Sequence, residues 1–248
     1  MRASDYHPRP GESIPPVRGL SPADAHTGPW ARAKQRAVRI VVCDVGLGNL
    51  RSVERALLEV TRGRDVQVEV TGDRARIAGA DRLVMPGQAA FGDCVRALST
   101  GTGDAILEHL RAQRPYLGIC LGLQVLFGSS EEAPGVAGLG VLEGRVARLG
   151  GGIDPTTGAP LKIPHVGWNV AEPSPNSGRL ALLDGAQHFY FVHSYVVVPR
   201  DARVVAATTE YGARFVSAVA YDNVFACQFH PEKSQRAGLA LLERFVSA

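Results

Sequence analysis

Pro115-Tyr116-Leu117-Gly118-Ile119-Cys120-Leu121-Gly122-Leu123-Gln124 is the segment that decides the fold of this chain. An apolar run leads into it and a helix-like run, Leu121 to Phe127, leads out of it, with Cys120 at the centre of a Gly-x-Cys-x-Gly pattern. The pattern predicts a nucleophile elbow, a sharp strand-to-helix turn that requires glycine on either side because a Cβ atom would collide there. At a helix N-terminus, unpaired N–H groups and the helix dipole favour the thiolate form of cysteine. The residues alone also allow a buried structural cysteine in an α/β strand.

Composition and cysteine usage are those of an ordinary globular protein of a reducing compartment. The chain has 248 residues, 45% hydrophobic and 21% charged, enough for one substantial α/β domain. A net charge of +3 is too small to indicate nucleic-acid binding. Four cysteines without a Cys-x-x-Cys pair argue against a zinc site or a disulfide framework, so we expect a cytoplasmic protein without a metal. No apolar run approaches the length of a membrane span, and no signal-peptide segment is seen near Met1.

The order of the segments predicts one folded domain behind a tail. Residues 1–36 are rich in Pro, Arg, Ala and Gly, and we interpret them as a disordered tail or as the product of a start codon assigned too far upstream. Residues 37–248 form the domain. Strand-like and helix-like segments alternate up to Ser130, which predicts an α/β fold with a parallel sheet and helices on both faces. The short strand-like runs that follow predict a smaller, mostly antiparallel portion that continues the sheet or covers one end of it.

Periodicity and capping residues predict individual elements. Asn49 is a suitable N-cap for an amphipathic helix from Leu50 to Val60. His109 is expected at the surface of a later helix. In the second half, residues 189–198 are expected to form one strand, and Trp168 is expected to lie on a Gly-flanked loop.

A cysteine nucleophile needs a base, and His230 is the best placed of the seven histidines. It directly follows a predicted strand, Val224 to Phe229, so it lies at a strand end, as the elbow does. Glu232 is two residues further on, and its carboxylate can bind the second ring nitrogen and fix the tautomer. On its own, His-Pro-Glu would indicate a surface turn, but beside an elbow cysteine it predicts a Cys-His-Glu triad.

An acyl-transfer site also needs N–H groups that stabilise an oxyanion. The N–H of Leu121, directly after the nucleophile, is one expected donor. The second is expected from Gly87 and Gln88, in the loop after the third predicted strand, because glycine lets the backbone approach a ligand closely. The alternative for this loop is an ordinary Pro-Gly turn.

Several segments together resemble a known family. Residues 118–124 around the cysteine and Gln228-Phe229-His230-Pro231-Glu232-Lys233-Ser234 are similar to the motifs of the class I (triad) glutamine amidotransferases. Three further segments resemble the glutaminase subunits of imidazole glycerol phosphate synthases: Gly48-Asn49-Leu50-Arg51-Ser52-Val53, Lys162-Ile163-Pro164-His165-Val166-Gly167-Trp168-Asn169 and Tyr190-Phe191-Val192-His193-Ser194-Tyr195. The resemblance runs from about Val38 to the C-terminus and implies the open mixed sheet of that family, with a parallel core.

This resemblance implies a glutaminase reaction without a cofactor or a metal. Cys120 would attack the side-chain amide of L-glutamine, and His230, oriented by Glu232, would protonate the departing ammonia and then activate water against the thioester. The main chain around Gly87, Gln88 and Leu121 would hold the oxyanion. The positions that match the family's binding site for the amino-acid end of glutamine are Gln124, Ser194 and Tyr195.

The resemblance also implies a partner protein. Ammonia would pass to a (β/α)8-barrel cyclase subunit, forming a heterodimer with this chain, which makes imidazole glycerol phosphate and aminoimidazole carboxamide ribotide (AICAR) in histidine biosynthesis. From the residues alone, Trp168 suits either an interface anchor or a half-buried core position, and Lys233 suits either a contact across an interface or a plain surface position. The implied docking face comprises Pro164, His165, Val166, Trp168, Asn169 and Lys233.

One residue departs from the family pattern. Ala89 stands where a second glycine usually follows Pro86-Gly87. Alanine tolerates a positive φ less well than glycine, by about 1 kcal/mol. We therefore expect a stiffer loop or a different resting conformation, with activity retained because the oxyanion donor is a backbone N–H.

Three other functions fit these residues less well. A glutaminase for another acceptor, such as an anthranilate or aminodeoxychorismate synthase, would share the triad, but residues 162–169 do not suggest one. A non-catalytic regulator on the same fold is disfavoured because Cys120, His230 and Glu232 are all present. An α/β-hydrolase with cysteine in place of serine would order its triad as nucleophile, acid and histidine, which this chain does not.

Overall fold

The computed structural model of the chain describes residues 36–154, 157–175 and 182–248. The predicted tail, residues 1–36, therefore lies outside the described residues except for its last residue. Within the described ranges, no helix is both long and apolar enough to cross a membrane.

The first half of the described chain alternates strands and helices, as predicted. Its elements are β1 (Val38–Cys43), α1 (Leu50–Val60), β2 (Val66–Thr71), α2 (Arg74–Ala78), β3 (Arg82–Met85), α3 (Phe91–Leu98), α4 (Thr102–Arg111), β4 (Tyr116–Ile119) and α5 (Leu121–Gln124). The four strands lie side by side in the order β2-β1-β3-β4, and each neighbouring pair is parallel. The carboxyl ends of these strands therefore meet at one edge of the sheet, which is where open α/β sheets carry their sites.

The second half continues the same sheet. Its elements are β5 (Gly144–Arg148), β6 (His165–Pro173), β7 (Gln187–His193), β8 (Tyr195–Pro199), β9 (Val205–Tyr211), β10 (Ala213–Tyr221), β11 (Val224–Cys227) and α6 (Gln235–Ser247). Strand β11 is parallel to β4, and the strands beyond it, β10, β9, β6 and β7, are antiparallel to their neighbours. Strands β5 and β8 pair with each other, and β8 also pairs with β10. The predicted parallel core with an antiparallel extension is confirmed.

Helices cover both faces of the parallel part, and two apolar layers lie beneath them. One layer joins α1 and α6 to the sheet through residues such as Leu57, Phe225 and Phe245. The other joins α2, α3 and α4 to the opposite face through residues such as Ile77 and Phe91. This arrangement follows from the sequence, because strands buried on both faces are continuously apolar and amphipathic helices bury one side.

Local predictions succeeded where the chain supplies its own signal. Helix α1 has the predicted bounds, and the Asn49 side chain accepts a hydrogen bond from the Ser52 N–H, as a helix cap does. His109, by contrast, is wholly buried rather than at the surface, with its Nε2 atom 3.0 Å from the Pro115 carbonyl oxygen. The surface prediction was wrong because a single histidine on a helix does not reveal which chain segment packs over it.

Two predictions in the second half need correction. Trp168 does not lie on a loop, because β6 begins at His165 and Trp168 pairs with Tyr190 of β7. The expected single strand over residues 189–198 is two strands, β7 and β8, separated at Ser194. Both errors concern strand pairing, which is decided by partners far along the chain rather than by local composition.

Candidate active site

Cys120 lies in the turn between β4 and α5. Its backbone has φ 54° and ψ −103°, a positive φ that a residue with a side chain rarely adopts. The turn is held in place by a 2.7 Å hydrogen bond from the Cys120 N–H to the Cys227 carbonyl oxygen on β11. The predicted strained strand-to-helix turn is therefore present, with its strain at the cysteine itself.

The two flanking glycines are required by close backbone contacts. A Cβ atom on Gly122 would lie 1.9 Å from the Met85 carbonyl oxygen, at the end of β3. A Cβ atom on Gly118 would lie 2.5 Å from the Gly122 carbonyl oxygen. Real Cβ atoms do not approach other atoms so closely, so the Gly-x-Cys-x-Gly pattern follows from the packing of the turn against β3.

His230 and Glu232 form a buried pair on the turn after β11. The His230 Nδ1 atom lies 2.8 Å from Glu232 Oε1, and both side chains are 2% exposed. The intervening Pro231 begins a short 3-10 turn, Pro231–Lys233, which brings the carboxylate back beside the ring. Ser234 supports this turn, because its hydroxyl donates to the His230 carbonyl oxygen and accepts from the Tyr190 N–H. The ring therefore has its Nδ1 atom facing the carboxylate, which leaves Nε2 for the reaction.

The electrostatics of His230 depend on Cys120. Burial alone would lower the pKa of His230, but interactions with Cys120 and with Glu232 raise that pKa to about 9. The buried Nε2 atom makes no hydrogen bond of ordinary length and angle with another described residue. The cysteine and the ring are therefore close enough to interact by charge without a well-formed hydrogen bond, as is common in unliganded sites.

The predicted oxyanion loop packs directly on the elbow. A Cβ atom on Gly87 would lie 2.5 Å from the Leu121 Cβ atom, so only glycine allows this approach. Gly48, in the loop after β1, has φ 111° and also packs against the oxyanion loop, since a Cβ atom added to it would lie 3.4 Å from the Gln88 nitrogen. Ala89 is not among the described residues with a positive φ, so alanine is accommodated here without strain. The Leu121 N–H is in the first turn of α5, where a helix offers it no acceptor.

A cavity of about 360 Å³ brings most of the predicted site residues together. His230 and Glu232 are buried and are not among the residues that line this cavity. The residues that line the cavity are Gly87, Gln88, Ala89, Cys120, Leu121, Gln124, Glu132, Pro164, Val192, His193, Ser194, Tyr195 and Lys233.

Glu132 is a cavity residue that the sequence did not single out. It follows the elbow helix in an irregular segment, and its Oε2 atom accepts a 2.8 Å hydrogen bond from the Phe91 N–H at the start of α3. A carboxylate in this wall gives the cavity an anionic group suited to a substrate ammonium. The only available signal was an acidic residue shortly after the elbow, which is too common a pattern to mark a site.

Two buried histidines connect the cavity to β6. His193 Nδ1 lies 3.0 Å from the Tyr195 carbonyl oxygen, and His193 Nε2 lies 3.1 Å from His165 Nδ1. Burial lowers the pKa of His165 to about 4, and burial together with the neighbouring His165 lowers the pKa of His193 to about 3. Both rings are therefore neutral at pH 7. With His193 donating to the carbonyl, His165 must donate to His193, and its Nε2 atom accepts from Asn169, 3.5 Å away.

The residues of the implied docking face divide into exposed and buried sets. On β6, Val166 is 56% exposed and Trp168 is 47% exposed. Pro164 and Lys233 lie at the wall of the cavity. His165 is 3% exposed and lies behind this surface, stacked on the Tyr211 ring with centroids 4.0 Å apart, and Asn169 donates to the Glu210 carbonyl oxygen. Among the described residues, no cluster of His, Cys, Asp and Glu side chains has the make-up of a metal site.

Comparison with known proteins identifies the family. A family model described as glutamine amidotransferase class-I matches residues 41–248. The imidazole glycerol phosphate synthase subunit HisH of Syntrophotalea carbinolica is 48% identical over 207 residues, which cover 83% of this chain and 98% of that protein. The protein of the same name from Aromatoleum aromaticum is 47% identical over 210 residues, covering 84% and 97% of the two chains.

Solved structures show the same fold at much lower identity. A crystal structure described as a glutamine amidotransferase has a TM-score of 0.60 and 20% identity, and covers 84% of this chain and 98% of its own. A Thermoplasma acidophilum protein, described as belonging to a GMP synthase, has a TM-score of 0.58 and 19% identity, with coverage of 86% and 94%. At this identity the likeness concerns the fold alone. The family match over residues 41–248, which include the elbow and the His-Glu pair, shows that this chain belongs to the class I glutamine amidotransferases.

Proposed function

We propose that this chain is the glutaminase subunit of an imidazole glycerol phosphate synthase. It hydrolyses L-glutamine to L-glutamate and ammonia and delivers the ammonia to a cyclase subunit, which makes imidazole glycerol phosphate and AICAR in histidine biosynthesis. The observation that carries the proposal is the meeting of Cys120, on its strained turn, with the buried His230–Glu232 pair beside one cavity. The relatives that share 47–48% of its residues are named as subunits of that synthase.

The first half of the reaction releases ammonia. The Cys120 thiolate adds to the side-chain amide carbon of glutamine and forms a tetrahedral intermediate with a negatively charged oxygen. His230, whose pKa of about 9 keeps it protonated beside the thiolate at neutral pH, gives its Nε2 proton to the amide nitrogen. The C–N bond then breaks, and ammonia leaves a thioester on Cys120.

The second half of the reaction regenerates the enzyme. His230 is now neutral, and its Nε2 atom takes a proton from water while the oxygen attacks the thioester carbon. Collapse of this second intermediate expels the Cys120 thiolate and releases glutamate. Glu232 keeps the ring in one tautomer through both halves, because its oxygen lies 2.8 Å from Nδ1.

Backbone N–H groups stabilise the oxygen anion in both intermediates. The Leu121 N–H lies at the start of α5, and Gly87 packs closely against the Leu121 side chain. N–H groups that are aimed at this oxygen stabilise the charge that develops on it.

The amino-acid end of glutamine needs both an anionic and a neutral polar environment. Glu132 offers a carboxylate to the α-ammonium group, and Gln124 lines the same cavity with its Nε2 atom already bound to protein acceptors. That orientation leaves the Gln124 Oε1 atom as a further acceptor for the ammonium. Ser194 and Tyr195, where β7 passes into β8, line the cavity and complete this end of it.

The cyclase subunit docks on the exposed part of β6. Val166 and Trp168 are exposed apolar side chains on β6, two and four residues after Pro164, which lines the cavity together with Lys233. His165 and Asn169 support this part of β6 from behind. The heterodimer closes the cavity on this side, so that ammonia passes to the partner rather than to solvent. The cysteines at all four positions are free and buried, which fits a reducing compartment such as the cytoplasm.

The direct test is release of glutamate from glutamine by the purified chain, first alone and then in complex with the cyclase subunit in the presence of the cyclase's ribonucleotide ligand. We expect little release alone and a large rise in the complex. Strong release without the partner would show that the glutaminase site is active without the cyclase subunit, and no release in either condition would contradict the proposal.

A variant pair assigns the nucleophile. In the complex, Cys120→Ala should abolish synthesis from glutamine while leaving synthesis from added ammonium salts intact, because ammonium bypasses only the glutaminase step. Cys94→Ala, at a buried cysteine of α3 outside the cavity, is the matched control and should retain both activities. Glutamine-dependent synthesis by Cys120→Ala would rule out this nucleophile.

A further inference from the structure

The side chain of Gln228 is wholly buried beside the nucleophile and has no role in the reaction described above. Its Nε2 atom lies 3.4 Å from Cys120 Sγ, at hydrogen-bonding distance for sulfur. Its Oε1 atom accepts a 3.1 Å hydrogen bond from Gln124 Nε2. Gln228 is not in the cavity wall, so any effect it has on catalysis must act through Cys120 or Gln124 rather than through contact with glutamine.

The direction of the Gln228 amide is fixed by its neighbours. Gln124 Nε2 also donates to the Tyr195 carbonyl oxygen, 3.3 Å away, so the Gln124 amide presents N–H groups to both acceptors. If the Gln228 amide were reversed, two NH₂ groups would face each other and its oxygen would face the sulfur of Cys120. The Gln228 backbone is held as well, by a 2.8 Å hydrogen bond from its N–H to the Ser217 carbonyl oxygen. The N–H donor that faces the sulfur is therefore set by a row of buried groups.

A fixed N–H donor beside the sulfur favours the charged form of the cysteine. A hydrogen bond to the charged form of a group stabilises that form, and the effect is larger in a buried site than in water. The triad places His230 as the second polar group near the sulfur.

We propose that Gln228 is a positioning residue that holds the Cys120 thiolate through its amide N–H, and that Gln124 sets the direction of that amide. The proposal rests on the proposed function only in taking Cys120 as the nucleophile. It gives Gln124 a second task besides lining the cavity.

Alkylation of Cys120 in the full chain measures this directly, because only the thiolate reacts. The rate with iodoacetamide is followed from pH 5 to 10, with the modified cysteine identified by peptide mass spectrometry. Gln228→Glu keeps the side-chain shape and an acceptor for Gln124 but replaces the donor with a carboxylate oxygen. We expect its alkylation midpoint to rise by about one pH unit and its rate at pH 7 to fall about tenfold.

Two further variants keep the test decisive. Gln228→Met removes the donor without adding a buried charge, and it should slow alkylation at pH 7 about threefold. This variant decides the test if Gln228→Glu does not fold. Gln67→Glu makes the same chemical change at an exposed position of β2 and should leave the profile unchanged. In the complex, Gln228→Met should lower kcat for glutamine.

The outcomes separate the two proposals. Unchanged alkylation profiles in both Gln228 variants, even with a lower melting temperature, would show that Gln228 is only structural and would overturn the inference. If the wild-type Cys120 reacted no faster than the cysteine of a short unfolded peptide at pH 7, the nucleophile itself would be in doubt. If alkylation responded as expected but the complex released no glutamate, the proposed function would fail while the role of Gln228 stood.

Discussion

The buried pair His165 and His193 should make the fold sensitive to mild acid. Both rings are neutral in the folded protein, because burial lowers the pKa of His165 to about 4 and the pKa of His193 to about 3. In the unfolded chain, histidine has a pKa of about 6.5. The folded state therefore binds fewer protons than the unfolded state below pH 6.5, so stability falls as the pH is lowered from there towards 4.

The magnitude follows from the number of protons. Each histidine that is protonated only in the unfolded state changes the free energy of unfolding by up to about 1.4 kcal/mol per pH unit, and the pair by up to about 2.7 kcal/mol per pH unit. Over the range from pH 6 to 4.5, the pair is expected to cost about 3.5 kcal/mol of stability, a large share of the total for a typical domain. The pKa of about 3 for His193 already includes the effect of the charge on His230.

Urea unfolding at pH 7, 6, 5.5, 5 and 4.5 measures this slope. In His165→Phe, the phenyl ring can occupy the place of the imidazole between the Phe191 and Tyr211 rings, whose centroids are 4.9 Å and 4.0 Å from it. The variant loses a roughly constant 1–3 kcal/mol, because His193 Nε2 loses its donor. Its slope should be smaller than that of the wild type by about 1 kcal/mol per pH unit. His188→Phe, at an exposed histidine of β7, is the matched control and should keep the wild-type slope.

Equal slopes in the wild type and in His165→Phe would refute the reasoning. They would mean that His165 is protonated in the folded state near pH 5, and that the hydrogen-bond order from Asn169 through both rings to the Tyr195 carbonyl is wrong. A reduced slope in His188→Phe would point instead to a general effect of removing any histidine.

Three further predictions concern the cavity and the elbow. Gly122→Ala should lower the free energy of unfolding by about 3 kcal/mol in urea titration, because its Cβ atom would lie 1.9 Å from a backbone oxygen. Gly150→Ala is the control and should leave the free energy of unfolding unchanged, because a Cβ atom at Gly150 meets no atom within 4 Å. Glu132→Gln should raise KM for glutamine about 10- to 100-fold in glutamate-release assays of the complex, with kcat nearly unchanged, and an unchanged KM would exclude the ammonium contact. Ala89→Gly should change turnover less than about threefold, since Ala89 is not strained; a rise of orders of magnitude would show that alanine restrains the loop.

Motifs that depend on neighbouring residues could be predicted from the sequence. The Gly-x-Cys-x-Gly pattern predicted the sharp turn at Cys120, and the spacing of His230 and Glu232 predicted a shared turn, because residues two apart must remain close in space. The Asn49 cap and α1 were predicted for the same reason. The assignment of these residues to a glutaminase reaction remains our proposal, and the experiments above test it.

What the sequence could not provide were contacts between distant segments. Glu132, the buried site of His109, the pairing of β6 with β7 and the contact of Gln228 with Cys120 all join residues that are unrelated locally. No single residue in these pairs carries a signal of its partner.

The sequence by itself determined the alternation of strands and helices, the position of the strained turn and the identity of the groups that can react, because backbone preference and side-chain chemistry are local properties. Only the tertiary structure decided which polar groups are buried together, and hence that His165 and His193 are neutral, that His230 has a pKa of about 9 and that an amide N–H faces the sulfur of Cys120. The physical reason is that charge states and hydrogen-bond directions depend on desolvation and on neighbours in space, and both are set when the strands assemble into one sheet.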